Sequence, residues 1–148
     1  MDGLATVFFF NCVVVAIAVL IHYEALYRLA IFLPRLRIQP RFRVLVGVSG
    51  VFLAHVTEIW VFTFAYYLLL TWGGYGSLEG NFDGSLLDCG YFSFSNYTSL
   101  GYGDIEPLGH IRFLAGLEAL TGLILIAWTA SFMYIEMQKF WVADRGGS

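Results

Sequence analysis

The sequence is poor in charge, in cysteine and in proline. Only 13% of its 148 residues are charged, against 59% that are hydrophobic, and it holds 2 cysteines and 3 prolines. An ordinary soluble domain carries about 25% charged residues, so this composition excludes that class. The cysteines, Cys12 in an apolar run and Cys89 outside one, argue against a disulfide framework. The chain is therefore expected to have the membrane as its solvent.

Three apolar stretches are long enough to cross a bilayer, which takes about 20 residues of helix. We predict spanning helices over 1–33, 44–70 and 111–137. The N-terminus lacks the basic segment and cleavage site of a secretory signal, so we expect the first helix to be retained.

Basic residues cluster on one side of these predicted helices. Four arginines lie in the linker 34–43, and Lys139 and Arg145 follow the third helix. By the positive-inside rule, this basic loop and the short tail 138–148 face the cytoplasm. Alternation then puts the N-terminus outside the membrane and the C-terminus inside.

The segment between the second and third helices carries a half-helix signal. The sequence S-L-L-D from Ser85 to Asp88 has the form of a capping box, which predicts a helix over 86–98. That helix is too short to cross a bilayer, so the chain must turn inside the membrane at Thr98–Asp104. Non-helical backbone at that depth must be buried in protein or line a water-filled path.

Glycine makes this turn suitable for binding a cation. Gly101 and Gly103 reach left-handed backbone conformations at no steric cost, so successive carbonyls can all face one axis. Four such strips would form rings of oxygen that replace the hydration shell of a cation. Since one chain supplies one strip, we expect a tetramer.

These residues also carry a family resemblance. Thr98 to Asp104, with the sequence T-S-L-G-Y-G-D, resembles the filter signature of potassium channels. Tyr91 to Tyr97 resembles the aromatic pore helix of that superfamily, and Arg112 and Gly122 resemble the start and hinge glycine of its inner helix. The resemblance covers about 44–137 and implies an outer helix, pore helix, filter (99–103) and inner helix. The first helix remains an addition to that pore domain.

The resemblance implies which residues bind and support the ion. The backbone of the filter residues would bind K⁺, and these are Ser99, Leu100, Gly101, Tyr102 and Gly103. Thr98, Asp104, Tyr91 and Asn96 would support the filter, and Gly122 would serve as a gating hinge. Where relatives have a bracing tryptophan pair, we predict contacts from the Tyr91 hydroxyl to Asp104 and from Asn96 to the Tyr102 hydroxyl.

Ionisable residues inside the spans need partners or a role, because they are costly in hydrocarbon. His55 and Glu58 share a face of the second helix, and Glu118 lies in the third. We interpret the three as a hydrogen-bonded polar clamp behind the pore helix, with a proton-sensing or metal-binding cluster as the alternative. A metal site needs three converging ligands with partners of their own, so no metal is predicted except K⁺ in the filter.

The sequence thus predicts an all-α membrane protein with three spanning helices and a re-entrant pore helix and filter, assembled as a homotetramer. It would conduct K⁺ passively in a bilayer, and its resemblance to small prokaryotic channels suggests a bacterial inner membrane. No enzymatic activity, cofactor or nucleic acid is expected. The alternatives are a weakly selective cation channel, a non-conducting accessory subunit, and an intramembrane metal enzyme using His55, Glu58 and Glu118.

Overall fold

The structure is a computed structural model that describes the backbone of residues 2–145 and the side chains of residues 5–139. Its elements in chain order are α1 (Asp2–Phe32), α2 (Pro40–Trp72), β1 (Gly76–Gly80), α3 (Leu86–Tyr97), β2 (Ile105–Gly109) and α4 (Ile111–Arg145). A short 3₁₀ helix over Leu33–Arg35 follows α1. In this part of the chain, 3 helices are long and apolar enough to cross a membrane, as predicted: α1, α2 and α4.

The helix α2 extends past both ends of the predicted range 44–70. It begins at Pro40, a residue suited to the first turn because it has no N–H to leave unpaired. It ends before Gly73, which has a φ of 71° and whose N–H donates to the carbonyl of Leu69. The helix α4 likewise continues beyond 137. Counting apolar residues finds the hydrophobic part of a helix, whereas the hydrogen-bonded helix continues into its polar ends.

The helix α1 packs on α2 and α4 through one stripe of side chains. Val14, Ala18, His22 and Leu26 recur every four residues and are all buried. Ala18 belongs to the main apolar core, which contains residues of α2, α3 and α4. Leu26 packs in a smaller cluster with Val51 of α2 and Met133 of α4. The first helix is therefore an integral part of the fold.

The half-helix α3 begins at the predicted cap. The N–H of Asp88 donates to Ser85 Oγ at 3.1 Å. The Asp88 carboxylate does not reach back to Ser85, since its Oδ2 accepts from the N–H of Asp83 at 2.8 Å. Asp83 Oδ1 accepts from the N–H of Ser85 at 2.7 Å. Hydrogen bonds from Ser85 hold the pKa of the exposed Asp83 carboxyl below its usual value.

A two-stranded ribbon that the sequence did not predict flanks α3 and the turn after it. The strands β1 and β2 pair antiparallel, with Gly76 opposite Gly109 and Gly80 opposite Ile105. The ribbon is tied to the end of the turn, because the N–H of Asn81 donates to the carbonyl of Asp104 at 2.8 Å. The ribbon therefore connects the start of α3 to the residue that ends the predicted filter segment.

Candidate ion-conduction site

The loop after α3 has an alternating backbone. Ser99, Gly101 and Gly103 have positive φ values of 57°, 55° and 77°, whereas Leu100 and Tyr102 between them do not. Glycine adopts such values freely, but a non-glycine residue rarely does, so Ser99 is a strained position that the sequence did not indicate. Alternation of this kind allows successive carbonyls to face one side of the loop.

Ser95, in the last turns of α3, holds this loop. Its carbonyl accepts from the N–H of Leu100 at 2.9 Å and of Gly101 at 3.3 Å. Its Oγ accepts from the N–H of Tyr102 at 3.3 Å. The sequence alone did not assign Ser95 a role. The pattern that could have indicated one is a small hydroxyl residue about one helical turn before the predicted filter. Thr98, expected to support the filter, donates its hydroxyl to the Phe94 carbonyl of its own helix at 2.7 Å.

The aromatic ring of Tyr102 stacks on that of Tyr91, with centroids 6.1 Å apart and planes at 7°. Desolvation and the nearby Asp104 carboxylate raise the pKa of Tyr91, which places the two side chains near each other, and the expected Tyr91–Asp104 hydrogen bond stays a prediction. The expected contact of Asn96 with the Tyr102 hydroxyl is wrong within the chain, because Asn96 Nδ2 donates to the Tyr66 hydroxyl at 3.5 Å. Five residues separate positions 91 and 96, which places them about 140° apart around the helix.

The loop 98–104, which we call the filter loop after its predicted role, is uncovered in the single chain. All residues from 98 to 104 are exposed, and the side chains of Leu100 and Tyr102 are 58% and 65% exposed. Irregular backbone at membrane depth needs protein or water around it, so further protein or a water-filled path must complete this site.

The predicted polar clamp is two separate networks. Glu118 Oε2 accepts from the Tyr66 hydroxyl at 2.6 Å, and Glu118 Oε1 accepts from the Ser93 hydroxyl. Among the described residues, neither His55 nor Glu58 forms a hydrogen bond with Glu118, so the expectation that all three form one clamp is wrong. The physical reason is distance along α2. Tyr66, which contacts Glu118, lies about two turns away from Glu58 on that helix.

Glu58 instead belongs to a buried cluster with a histidine that the sequence analysis did not consider. His22 Nδ1 lies 2.9 Å from Glu58 Oε1, and His55 Nδ1 lies 3.2 Å from Glu58 Oε2. The Tyr97 hydroxyl donates to Glu58 Oε2 and lies 2.9 Å from His55 Nδ1. The Thr129 hydroxyl lies 3.0 Å from His55 Nε2 and 3.4 Å from His22 Nε2. We call these five residues the His–Glu cluster.

Gly122, expected to be a gating hinge, lies within an uninterrupted α4. A Cβ atom at this position would lie 2.0 Å from the carbonyl oxygen of Tyr97. Glycine is therefore required for the close packing of α4 against the end of α3, and its role as a hinge stays a prediction.

Comparison with known proteins agrees with this geometry. The sequence model of a family described as "Ion channel" matches residues 44–139. The chain is 32% identical over 90 residues to the inward rectifier potassium channel Kirbac3.1 of Paramagnetospirillum magnetotacticum, an alignment that covers 60% of this chain and 30% of that protein. The chain thus spans about a third of the length of that relative.

No solved structure is significantly similar to the chain. The family match includes α2, α3, the filter loop and most of α4, and it excludes α1. A channel family of this kind indicates transport and not enzymatic catalysis. The chain therefore belongs to the ion channel family, within the pore-domain superfamily of potassium channels.

Proposed function

We propose that the chain is one subunit of a homotetrameric, potassium-selective channel that conducts K⁺ passively. The observation that carries this proposal is the alternation of positive φ at Ser99, Gly101 and Gly103 in an exposed loop after a half-helix. The backbone carbonyls of 99–103 would then coordinate K⁺ in place of water. The C-terminal end of α3, which carries partial negative charge, would favour a cation nearby.

The tetramer follows from the incomplete site. One chain offers one strip of carbonyls, and a cation that has lost its hydration shell needs oxygen ligands on all sides. The α4 surface also exposes large apolar side chains, among them Phe113 at 65% and Leu120 at 56%. Four copies around an axis would cover part of this surface and surround the loop.

Potassium selectivity is supported by how firmly the loop is held. Ser95 binds three consecutive loop N–H groups, and Tyr91 stacks on Tyr102. Selectivity in such filters depends on the size of the cavity and on the number and field of its carbonyl ligands, both of which a braced loop would keep constant. The Tyr91–Asp104 interaction would support the outer end.

We further propose that 44–137 forms the pore domain, that the basic linker 34–43 and the tail 138–148 face the cytoplasm, and that the protein lies in a bacterial inner membrane.

Cysteine labelling tests this orientation. Glu79 and Arg37 are both exposed and lie on opposite sides of the membrane in this topology. In a background with Cys12 and Cys89 replaced, an impermeant maleimide applied to intact cells should label Glu79→Cys and not Arg37→Cys. The reverse labelling would overturn the orientation.

Ion flux from liposomes tests conduction and selectivity. Wild-type protein should pass K⁺ much faster than Na⁺, and Ba²⁺ should block it. Gly101→Ala should abolish the flux, because it adds a side chain at a positive φ in the proposed K⁺ path. Gly74→Ala is the matched control, since both glycines have positive φ and nothing within 4 Å of an added Cβ.

Four outcomes would each contradict one part of the proposed function. Equal K⁺ and Na⁺ flux would indicate a weakly selective cation channel and refute potassium selectivity. A wild-type tetramer that passes neither ion under any tested pH or tension would point to an accessory subunit. Equal loss of flux in Gly101→Ala and Gly74→Ala would remove the filter from the explanation. A native mass other than that of four chains would refute the tetramer.

A further inference from the structure

The His–Glu cluster brings metal-binding side chains together inside the protein. His22, His55 and Glu58 each offer one ligand atom, and these atoms all lie within 4.8 Å of one another. His22 and Glu58 are fully buried, and the side chain of His55 is only 16% exposed. A buried carboxylate is costly unless a cation or several hydrogen bonds balance it.

The orientation of the two imidazole rings is the central observation. Both rings present Nδ1 to Glu58, and both present Nε2 to the hydroxyl of Thr129. A neutral imidazole carries one N–H and one lone pair, and a hydroxyl carries one hydrogen and two lone pairs.

Neutral rings cannot satisfy all of these contacts. If both rings carry hydrogen on Nδ1, the Thr129 hydroxyl can donate to only one Nε2, and the other faces an oxygen lone pair. If both carry hydrogen on Nε2, Thr129 accepts both, but the two Nδ1 lone pairs then face the Glu58 carboxylate. If one ring carries hydrogen on Nδ1 and the other on Nε2, Thr129 serves both rings, but the second ring's Nδ1 lone pair still faces the Glu58 carboxylate, because the Tyr97 hydroxyl donates to Glu58. A cation bound between both Nδ1 atoms and Glu58 removes the conflict, and Thr129 then orients both rings as an outer partner of metal-bound histidine does.

We propose that His22, His55 and Glu58 form a binding site for a divalent d-block cation such as Zn²⁺, with the Tyr97 hydroxyl as fourth ligand. Two imidazole nitrogens and a carboxylate suit Zn²⁺, whereas Ca²⁺ and Mg²⁺ prefer oxygen ligands alone. Tetrahedral zinc places its ligand atoms about 3.3 Å apart. The neighbouring ligand atoms here lie 2.9 Å apart (His22–Glu58), 3.2 Å (His55–Glu58) and 2.9 Å (His55–Tyr97). The two imidazoles contact different oxygens of Glu58, and the ligand atoms of the three residues all lie within 4.8 Å of one another, so an ion would enter with a rearrangement of the Glu58 carboxylate.

The site joins elements that carry the filter. His22 comes from α1, His55 and Glu58 from α2, and Thr129 from α4, while Tyr97 is the last residue of α3. Bound metal would tie α1 to the end of the half-helix directly before the filter loop. The effect on conduction rests on the proposed function: in a potassium channel, bound metal at this position changes the K⁺ flux. Metal binding itself does not depend on conduction.

Metal binding to the purified protein tests the site directly. Tag-free, full-length protein is stripped with a chelator and titrated with Zn²⁺, with bound metal measured by mass spectrometry, and with Co²⁺, read by its visible absorption. One equivalent per subunit is expected, with the Co²⁺ spectrum of a tetrahedral nitrogen and oxygen site. His22→Gln should weaken binding by more than the about 10- to 100-fold expected for loss of an outer partner.

Two further variants complete the design. His110→Gln removes a histidine that lies outside the cluster, so its affinity should equal that of the wild type. Thr129→Val keeps every ligand and removes only the outer partner, so binding should weaken by about 10- to 100-fold. This variant serves as the test if His22→Gln does not fold, as judged by its tetrameric mass and thermal unfolding.

The outcomes separate the metal site from the channel. Absence of stoichiometric binding to the wild type, or equal affinity in His22→Gln or Thr129→Val, would overturn the site. Stoichiometric binding that is lost in His22→Gln supports the site even if no flux is measured, in which case only the proposed conduction fails.

Discussion

Substitution of Gly122 by alanine tests how the filter is positioned. The added Cβ would lie 2.0 Å from the carbonyl oxygen and 2.9 Å from the carbonyl carbon of Tyr97. Ordinary contacts between heavy atoms are about 3.5 Å or longer, so the end of α3 and α4 would have to separate by about 1.5 Å. The clash involves main-chain atoms on α3, and therefore no side-chain rotation can relieve it.

Two opposing contributions determine the stability of Gly122→Ala. Alanine is favoured over glycine inside a helix by about 1 kcal/mol. Overpacking costs about 1–3 kcal/mol, and a clash with backbone lies at the upper end. We therefore expect Gly122→Ala to destabilise the protein by up to about 2 kcal/mol net. It should also displace Tyr97, which directly precedes the filter loop, and so lower the K⁺ flux.

Gly116→Ala on the same helix is the control, since nothing lies within 4 Å of its added Cβ. It should keep the gain in helix propensity without the clash. Thermal unfolding of the detergent-solubilised protein and liposome flux should both show a loss for Gly122→Ala and none for Gly116→Ala. If Gly122→Ala keeps wild-type thermal stability and its tetrameric mass but no longer opens, the packing argument fails and Gly122 acts as a hinge.

Three further predictions concern other contacts. Glu118→Leu removes the acceptor of the buried Tyr66 hydroxyl, so unfolding should become easier by about 1–3 kcal/mol; unchanged stability would contradict the assigned bond. The pKa of Asp83 is lowered in the folded protein, so its contribution to stability is present above its unfolded value of about 4 and is lost as the pH falls further. Melting temperatures measured between about pH 3 and 6 should depend less on pH in Asp83→Asn than in the wild type, and an identical dependence would refute this. Gly80→Ala should lower K⁺ flux because its Cβ would lie 2.2 Å from the carbonyl oxygen of Asp104. Gly84→Ala, also at a positive φ but in open space, should not lower it, and equal flux in the two variants would show that the ribbon does not position the filter.

The features that could be predicted from sequence are those with local physical causes. A long apolar run requires a helix in hydrocarbon wherever the rest of the chain lies. The start of α3 depends on Ser85 and its immediate neighbours, and the positive φ of Gly101 and Gly103 follows from the missing side chain. The ribbon has no such signal, because each strand has only 5 residues, ends in glycine and lacks a clear alternation of apolar and polar side chains.

The side-chain networks could not be predicted because their partners are remote in sequence. His22 and Glu58 are 36 residues apart, and Thr129 is 107 residues from His22. Their contact depends on the rotation of α1 about its axis, and a single histidine in an apolar run does not predict that rotation. Glu118 was assigned to the wrong network for the same reason, since sharing the membrane does not determine the level at which two helices touch.

The two networks together explain how a short half-helix is held at a fixed depth and rotation. Glu118 accepts from Ser93 near the middle of α3, while Glu58 accepts from Tyr97 at its end. Each carboxylate also binds side chains of other helices, so α3 is fixed at two points one turn apart. A single attachment would leave the half-helix free to pivot, whereas two oppose both sliding and rotation. Because α1 supplies His22 to the second attachment, the helix outside the family match contributes directly to the position of the filter loop.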